Sequence, residues 1–406
     1  MRQAVLHIGT PKTATTSLQN FLRSNSKTLR DAGWYVPTRW STNHSELVSL
    51  AYCEDRWDEV CAFQARSRGY GTGRLEQHRW HRVRKEILDE LREIVVASSG
   101  CTVLFSGEGL YSRLTSNEIA NLRATLLDAG VDAQVLVYLR DPLSARLSQL
   151  GQFVKAGWHL DLHQSLIPSN KPRKMPEAGW AGAPHVQDMP YELYSQRLDT
   201  WEKFFPGRVQ VRLFDSEILV GGGIEDDFCH AVGIDSVSNL AKTYRDNVGL
   251  PWTIIKVLNE VNRQVNRRAL KADGSHNTNR WLPPHELNQF ALSAQKSLPG
   301  QVLVDHFQSY FSGSNEEIRR RYFPDREFLW RPLESPGVSN TNLSVDLTSD
   351  EWLMVDFLVQ VAKSGMSHRV DGNGLSLRWA PSLMKNWVFR FAIRHVRGRH
   401  NSVHRT

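Results

Sequence analysis

Lys12, Thr13, Thr15, Thr16 and Ser17 follow closely on a short apolar run, Gln3-Ala4-Val5-Leu6-His7-Ile8. One ammonium and four hydroxyls at that spacing suit the holding of an oxyanion. The turn Gly9-Thr10-Pro11-Lys12-Thr13-Ala14 is punctuated by Gly and Pro, and beyond Thr15 the apolar residues Leu18, Phe21 and Leu22 fall at helical spacing. Strand, small-residue loop and helix start make the geometry in which free backbone N–H groups and the helix dipole converge on one anion. Lys12 adds a mobile point charge. The stretch reads as a phosphate-binding loop. It is not the nucleoside triphosphatase loop G-x-x-x-x-G-K-[ST]. Counted from Gly9, the second glycine position is Ala14 and the lysine position is Thr15, so the lysine comes early. Alanine takes a positive φ only at a cost, so this loop requires position 14 to be helical already.

The elements that must position these groups follow from periodicity. A helix is expected from Thr15 to about Asp31, stopped by Gly33, then a brief strand at Trp34-Tyr35-Val36. An apolar helical stretch, Leu47 to Tyr52, follows the polar loop Ser41–Glu46, with Asn43 or Ser45 as its cap. Residues 66–85 are rich in Arg and His and merge into a helix from Glu86 to Ala97. Their His78 and His81 read as basic surface groups rather than metal ligands. Cys101–Phe105 is a third strand, broken by Ser106-Gly107-Glu108-Gly109, which places a carboxylate at a parallel strand's C-terminal end, where α/β sheets bind ligands. A helix from Ser116 to Ala129 precedes the strand Gln134–Leu139, and directly after it stand Arg140-Asp141-Pro142, with a helix opening at the proline. Met189–Phe205 reads as an amphipathic helix, Val209–Phe214 as the last core strand and Glu225–Val232 as a helix with Phe228 inward. Strands alternating with helices argue an α/β fold, a parallel sheet flanked by helices.

Pro-Lys-Thr-x-Thr-Thr-Ser-Leu-Gln after a strand resembles the 5′-phosphosulfate loop of sulfotransferases that use PAPS (3′-phosphoadenosine-5′-phosphosulfate). Members of that family usually carry Gly where this chain has Ala14. Tyr-Leu-Arg-Asp-Pro followed by Arg146 and Ser148 resembles the family's 3′-phosphate motif, R-x-P-x-x-x-x-x-S. Arg140 at a strand end and Ser148 two turns into the next helix would grip one phosphate between them. Tyr…Arg-Leu-Asp-x-Trp…Phe-Pro-Gly…Val-Arg-x-Phe…Asp-Phe, and later Phe323-Pro324-Asp325-Arg326, are similar to bacterial sulfotransferase-like proteins, so the likeness spans about residues 1–330. It implies a P-loop NTPase-like sulfotransferase fold. It also implies transfer of a sulfuryl group from PAPS, leaving PAP, to a hydroxyl or amine of a carbohydrate, glycolipid or small-metabolite acceptor. On that reading Lys12, Thr13, Ala14, Thr15, Thr16, Ser17, Arg140 and Ser148 bind the donor. Lys12 stabilises the charge that builds on the leaving oxygen. His44 or Glu108 is the general base. Glu108 has the better inferred placement, but His44 suits neutral pH by its intrinsic pKa, stands in a stretch like one in the bacterial members, and ranks slightly ahead. No metal is called for. A P-loop-fold kinase and a non-catalytic nucleotide-binding module remain the alternatives. A kinase would want a glycine before its lysine and an aspartate ending a strand, where this chain has Arg140.

Composition sets the remaining limits. The chain has 406 residues, 40% of them hydrophobic and 23% charged, enough for a large core. A formal charge of +7 fits polyanionic ligands but is too mild to argue for nucleic acid. Cys53, Cys61, Cys101 and Cys229 show neither disulfide nor metal spacing, and no signal peptide or membrane-spanning run is visible, so a cytoplasmic protein is expected. Trp158–Val186, with several Pro and Gly residues, reads either as a lid over the substrate side or as a disordered stretch. Residues 331–406 read as a helical C-terminal extension beyond the 1–330 domain. Thr348-Ser349-Asp350-Glu351 is a capping box there, and from Trp379 a basic, partly amphipathic tail suits either solvent or an anionic membrane surface.

Overall fold

The computed structural model describes residues 1–53, 56–71, 74–167, 193–234, 240–242, 249–265, 297–331, 346–349, 351–356 and 358–359. Five parallel strands form one sheet in the order β2-β3-β1-β4-β5. They are β1 (Arg2–His7), β2 (Trp34–Tyr35), β3 (Thr102–Ser106), β4 (Val131–Leu139) and β5 (Val209–Leu213). β1 lies in the middle, with Leu6 opposite Phe105 of β3 on one side and Val135 of β4 on the other. Nearly continuous apolar runs are what strands covered on both faces require, and the side chains of β1 divide accordingly.

Ala4, Leu6 and Ile8 face the larger core. They pack there with the helices α3 (Ser45–Ala51), α4 (Glu59–Ser67), α5 (Gln77–Ala97), α7 (Ser116–Asp128) and α10 (Tyr194–Phe204). Val5 faces the opposite side, covered by α1 (Thr15–Ser24), α2 (Ser26–Asp31) and α11 (Ile224–Val232). Phe228 of α11 is fully buried there, as its sequence position implies. Truncating a side chain of that size in a packed core costs about 3–5 kcal/mol.

A third apolar cluster lies beside the sheet layers. It joins α8 (Pro142–Lys155), α9 (Leu162–Leu166), α12 (Trp252–Val265) and α13 (Gln301–Tyr322). Met354, Val355, Leu358 and Val359 belong to the same cluster, so this stretch of the C-terminal extension packs directly against α-helical elements of the 1–330 region. Its start is the expected capping box: Thr348 N–H donates to Glu351 (2.7 Å) and Glu351 N–H to the Thr348 hydroxyl (3.3 Å).

Several boundaries differ from the sequence reading, each for a tertiary reason. The single helix expected over 15–31 breaks at Asn25. Its buried side chain donates to the Phe21 and Ala241 carbonyls and accepts from Ala241 N–H, so it serves a distant segment. α5 starts at Gln77, nine residues before Glu86, because Trp80 and Val83 bury their side chains in the large core. α4 was not anticipated; Asp58 caps it through Val60 and Cys61 N–H. Neither Asn43 nor Ser45 caps α3. The N-cap is His44, and Ser41 accepts from Ser45 N–H (3.2 Å).

None of the four cysteines is in a disulfide. Among the described residues no helix is long and apolar enough to cross a membrane. The expected lid falls inside the described residues only as far as Ile167, and the basic tail lies wholly outside them.

Candidate functional site

The strand order reverses at β1 and β4: after β1 the chain moves toward β2, and after β4 it moves the other way, toward β5. In open α/β sheets the crevice at such a reversal, beyond the strand C-termini, is where ligands bind. Both motifs singled out from sequence, the Lys12 loop and Arg140, come off these two neighbouring strands.

The loop is fastened to β4 by its backbone. Tyr138 N–H donates to the Gly9 carbonyl (2.7 Å), Thr10 N–H donates to the Tyr138 carbonyl (2.8 Å), and the Thr10 hydroxyl donates to the same carbonyl (3.0 Å). Gly9 takes φ 110, and a Cβ there would stand 3.4 Å from the Cα of Glu108. Lys12 follows in the left-handed region at φ 70. Ala14, the residue before α1, is left-handed too, at φ 55 and ψ 31. Position 14 is therefore not already helical, contrary to the sequence reading, and it holds the conformation that glycine adopts without steric cost.

α1 has no side-chain cap at its N-terminus. Among the described residues nothing accepts a hydrogen bond from the N–H groups of Ala14, Thr15 or Thr16. These are the orphan donors of a helix start, here left open toward the loop.

The hydroxyls behave differently from the backbone. Thr13, fully buried, donates to the Thr10 carbonyl (2.6 Å) and so ties the turn together. Thr15 donates to Glu108 (2.6 Å) and Ser17 to Glu225 (2.7 Å). Only Thr16 stands exposed. The loop as folded thus offers an anion backbone N–H groups, the Thr16 hydroxyl and Lys12, while three hydroxyl protons already have acceptors.

Cations converge on the loop from two further places. Arg140 donates to the Lys12 carbonyl (2.7 Å), binding the second junction to the first. Its own carbonyl accepts from the Tyr194 hydroxyl (2.9 Å), and its guanidinium lies 5.6 Å from the centre of the Phe214 ring. Lys12 forms no ion pair among the described residues. Burial holds its ammonium below the usual lysine range; Glu108 works against that, and the charges of Arg140 and Lys155 add to it. Burial likewise lowers Arg140, with Asp141 opposing. Asp141 caps α8 through Ser144 N–H (2.7 Å). Ser148 is half-buried on α8, and its hydroxyl makes no hydrogen bond among the described residues. Arg146 is buried and structural, donating to the Ser165 carbonyl (2.8 Å) and to Gln149 (2.8 Å).

The two general-base candidates separate. Glu108 begins the short helix α6 (Glu108–Arg113), beside Gly9, with one oxygen on Thr15 and close enough to Lys12 to influence its ionisation. His44 is enclosed, at 3% exposure. Its Nδ1 accepts from Ser106 N–H (2.9 Å), and Trp40 and Phe105 pack edge-on against it. Burial drops its pKa to about 4. Its Nδ1 is thereby occupied and burial disfavours the charged ring, whereas Glu108 stands directly beside the loop.

Three residues at the site escaped the sequence reading: Lys155, Tyr194 and Glu225. Lys155 sits at the far end of α8, and Glu225 meets Ser17 across 208 residues. No local signal marks such partners, because only the packing of α8 and α11 brings them to the loop. Family models, curated proteins and solved structures were compared with this chain, and none matches.

Proposed function

We propose that the protein is a PAPS-dependent sulfotransferase with a P-loop-like donor site. The observation that carries this reading is the open start of α1. Its donors at Ala14, Thr15 and Thr16 are unused, they face a loop carrying Lys12, and Arg140 joins that loop from the neighbouring strand end. Backbone N–H groups and the helix dipole favour an anion there, and the half-buried Lys12, without an ion pair among the described residues, gains from one. These groups fit the 5′ side of the donor, and Arg140 with the unengaged Ser148 hydroxyl fits its 3′-phosphate.

PAPS supplies an activated sulfuryl group in this reaction. The chain's residues do the rest. Lys12 neutralises charge developing on the oxygen that leaves, a preorganised electrostatic role. Glu108 accepts the proton of the attacking hydroxyl or amine, and its hydrogen bond from Thr15 fixes its orientation. Arg140 holds both the donor and, through the Lys12 carbonyl, the shape of the loop. The acceptor class, a carbohydrate, glycolipid or small metabolite, belongs to the same proposal.

Isothermal titration with adenosine 3′,5′-bisphosphate, ADP and ATP tests the reading. The bisphosphate is expected to bind at least about tenfold more tightly than ADP, since a charge-assisted phosphate contact is worth about 1.5–3 kcal/mol. Tighter binding of ATP than of the bisphosphate would replace the sulfotransferase with a kinase-like protein.

A further inference from the structure

We infer that Glu225 is a specificity-determining residue of the loop, selecting a singly charged sulfate terminus over a phosphate terminus. The inference rests on the donor reading above. Ser17 lies in the first turn of α1, among the residues expected to donate to the donor's 5′ side. Its hydroxyl instead donates to Glu225 Oε1 at 2.7 Å, and Thr15 does the same toward Glu108 at 2.6 Å. A site built to hold as much negative charge as possible would not set two carboxylates on its own hydroxyls.

Glu225 has little freedom to withdraw. α11, which carries it in its first turn, is held at three points. Asp227 accepts two hydrogen bonds from Arg212 (2.6 Å each), one from the Tyr138 hydroxyl (2.7 Å) and one from Val220 N–H (3.0 Å). Asp226 pairs with Lys242 (2.6 Å). Asn25 straps Ala241, next to Lys242, to the α1–α2 break. A ligand entering the loop therefore meets the Glu225 charge where it stands.

Adenosine 5′-phosphosulfate and ADP differ only in their terminal group. Sulfate there carries a single negative charge, whereas a terminal phosphate carries about −1.5 to −2 near neutral pH. Cations at Lys12 and Arg140 attract both ligands; Glu225 penalises the second more, because Coulomb repulsion at close range scales with the added charge. Cationic pull and carboxylate repulsion together give preference by charge without any contact to sulfur.

The test measures both ligands by calorimetry in chelator, so that no divalent cation masks the phosphate charge. Wild type is expected to favour the phosphosulfate by about tenfold or more, and Glu225→Gln, which keeps an acceptor for Ser17, to tighten ADP by about fivefold while leaving the phosphosulfate within about twofold. Glu225→Asp keeps the charge one methylene further back and is expected to fall between them. Asp226→Asn removes a charge from the same turn while its amide oxygen keeps an acceptor for Lys242, and is expected to leave the ratio as in wild type. Melting temperatures establish that each variant is folded. An unchanged ratio in Glu225→Gln overturns the inference, as does an equal shift in Asp226→Asn. A shifted ratio combined with no preference for the bisphosphate over ADP would instead sink the donor reading and leave the charge filter standing.

Discussion

α1 and α3 start in the same unusual way and serve opposite ends. Each is preceded by a non-glycine residue in the left-handed region, Ala14 at φ 55 and His44 at φ 40, and in neither does that residue's side chain cap the helix. Before α3 the protein answers part of its own donor set, Ser45 N–H through Ser41 and Leu47 N–H through the His44 carbonyl. Ser41 accepts from Ser45 N–H, Glu46 accepts from Ser41 N–H and its hydroxyl, and the His44 ring accepts from Ser106 N–H. Before α1 it does not, and Lys12 and Arg140 stand around the opening. Backbone strain alone is therefore a poor mark of function here. Strain beside unanswered donors and cations is the better mark, since a closed hydrogen-bond set has nothing left for a ligand.

The contrast breaks most sharply at Lys12. Lys12→Ala is expected to lower kcat by about 10²–10³ with much less effect on donor affinity, as for loss of one preorganised donor. Labelled PAPS with a working acceptor measures it, and normal turnover at saturating donor would reduce Lys12 to a phosphate anchor. Next comes Arg140→Ala, which removes the proposed phosphate contact together with the brace on the Lys12 carbonyl. It is expected to weaken bisphosphate binding by about tenfold or more while the fold persists. Equal calorimetric affinity of variant and wild type would take Arg140 out of the site.

The closed region is expected to respond to acid. Burial holds His44 at about 4 and His7, bonded to the Ser106 hydroxyl, at about 3, whereas both titrate near 6.5 in the unfolded chain. The unfolded state then binds more protons, so stability is full above about pH 6.5 and falls as the pH drops toward 4, by up to about 1.4 kcal/mol per pH unit for each histidine. Urea midpoints at pH 7.5 and 5 measure the slope, and His44→Asn is expected to flatten it. A slope identical to wild type would mean that the ring is not held neutral.

Smaller effects separate the two caps. Ser41→Ala should cost about 1 kcal/mol of stability, whereas Thr16→Ala, exposed at the open helix start, should cost close to none. Ala14→Gly relieves the left-handed alanine but loosens the unfolded chain, for a net gain of at most about 1 kcal/mol in denaturation. A clear loss would show that alanine is at ease at φ 55.

The strand–loop–helix at residues 3–22, the strand leading into Arg140 and the carboxylate at Glu108 were legible in the chain itself. Apolar runs, glycine and proline punctuation and helical spacing are local properties that each segment carries wherever it folds. What lay beyond reach depended on distant partners. Asn25 breaks the first helix because Ala241 needs its amide, and α5 begins early because Trp80 finds the core. His44 is buried with its Nδ1 on Ser106 N–H because β3 packs against the loop that carries it. Ser17 donates to Glu225 at 2.7 Å only because α11 packs beside the loop. Residue types and spacing thus determined which groups this protein has for holding an anion. Only the packed sheet and helices decided which of them remain open to one, because whether a donor is engaged depends on what lies within about 3 Å of it, and that neighbour is seldom adjacent in sequence.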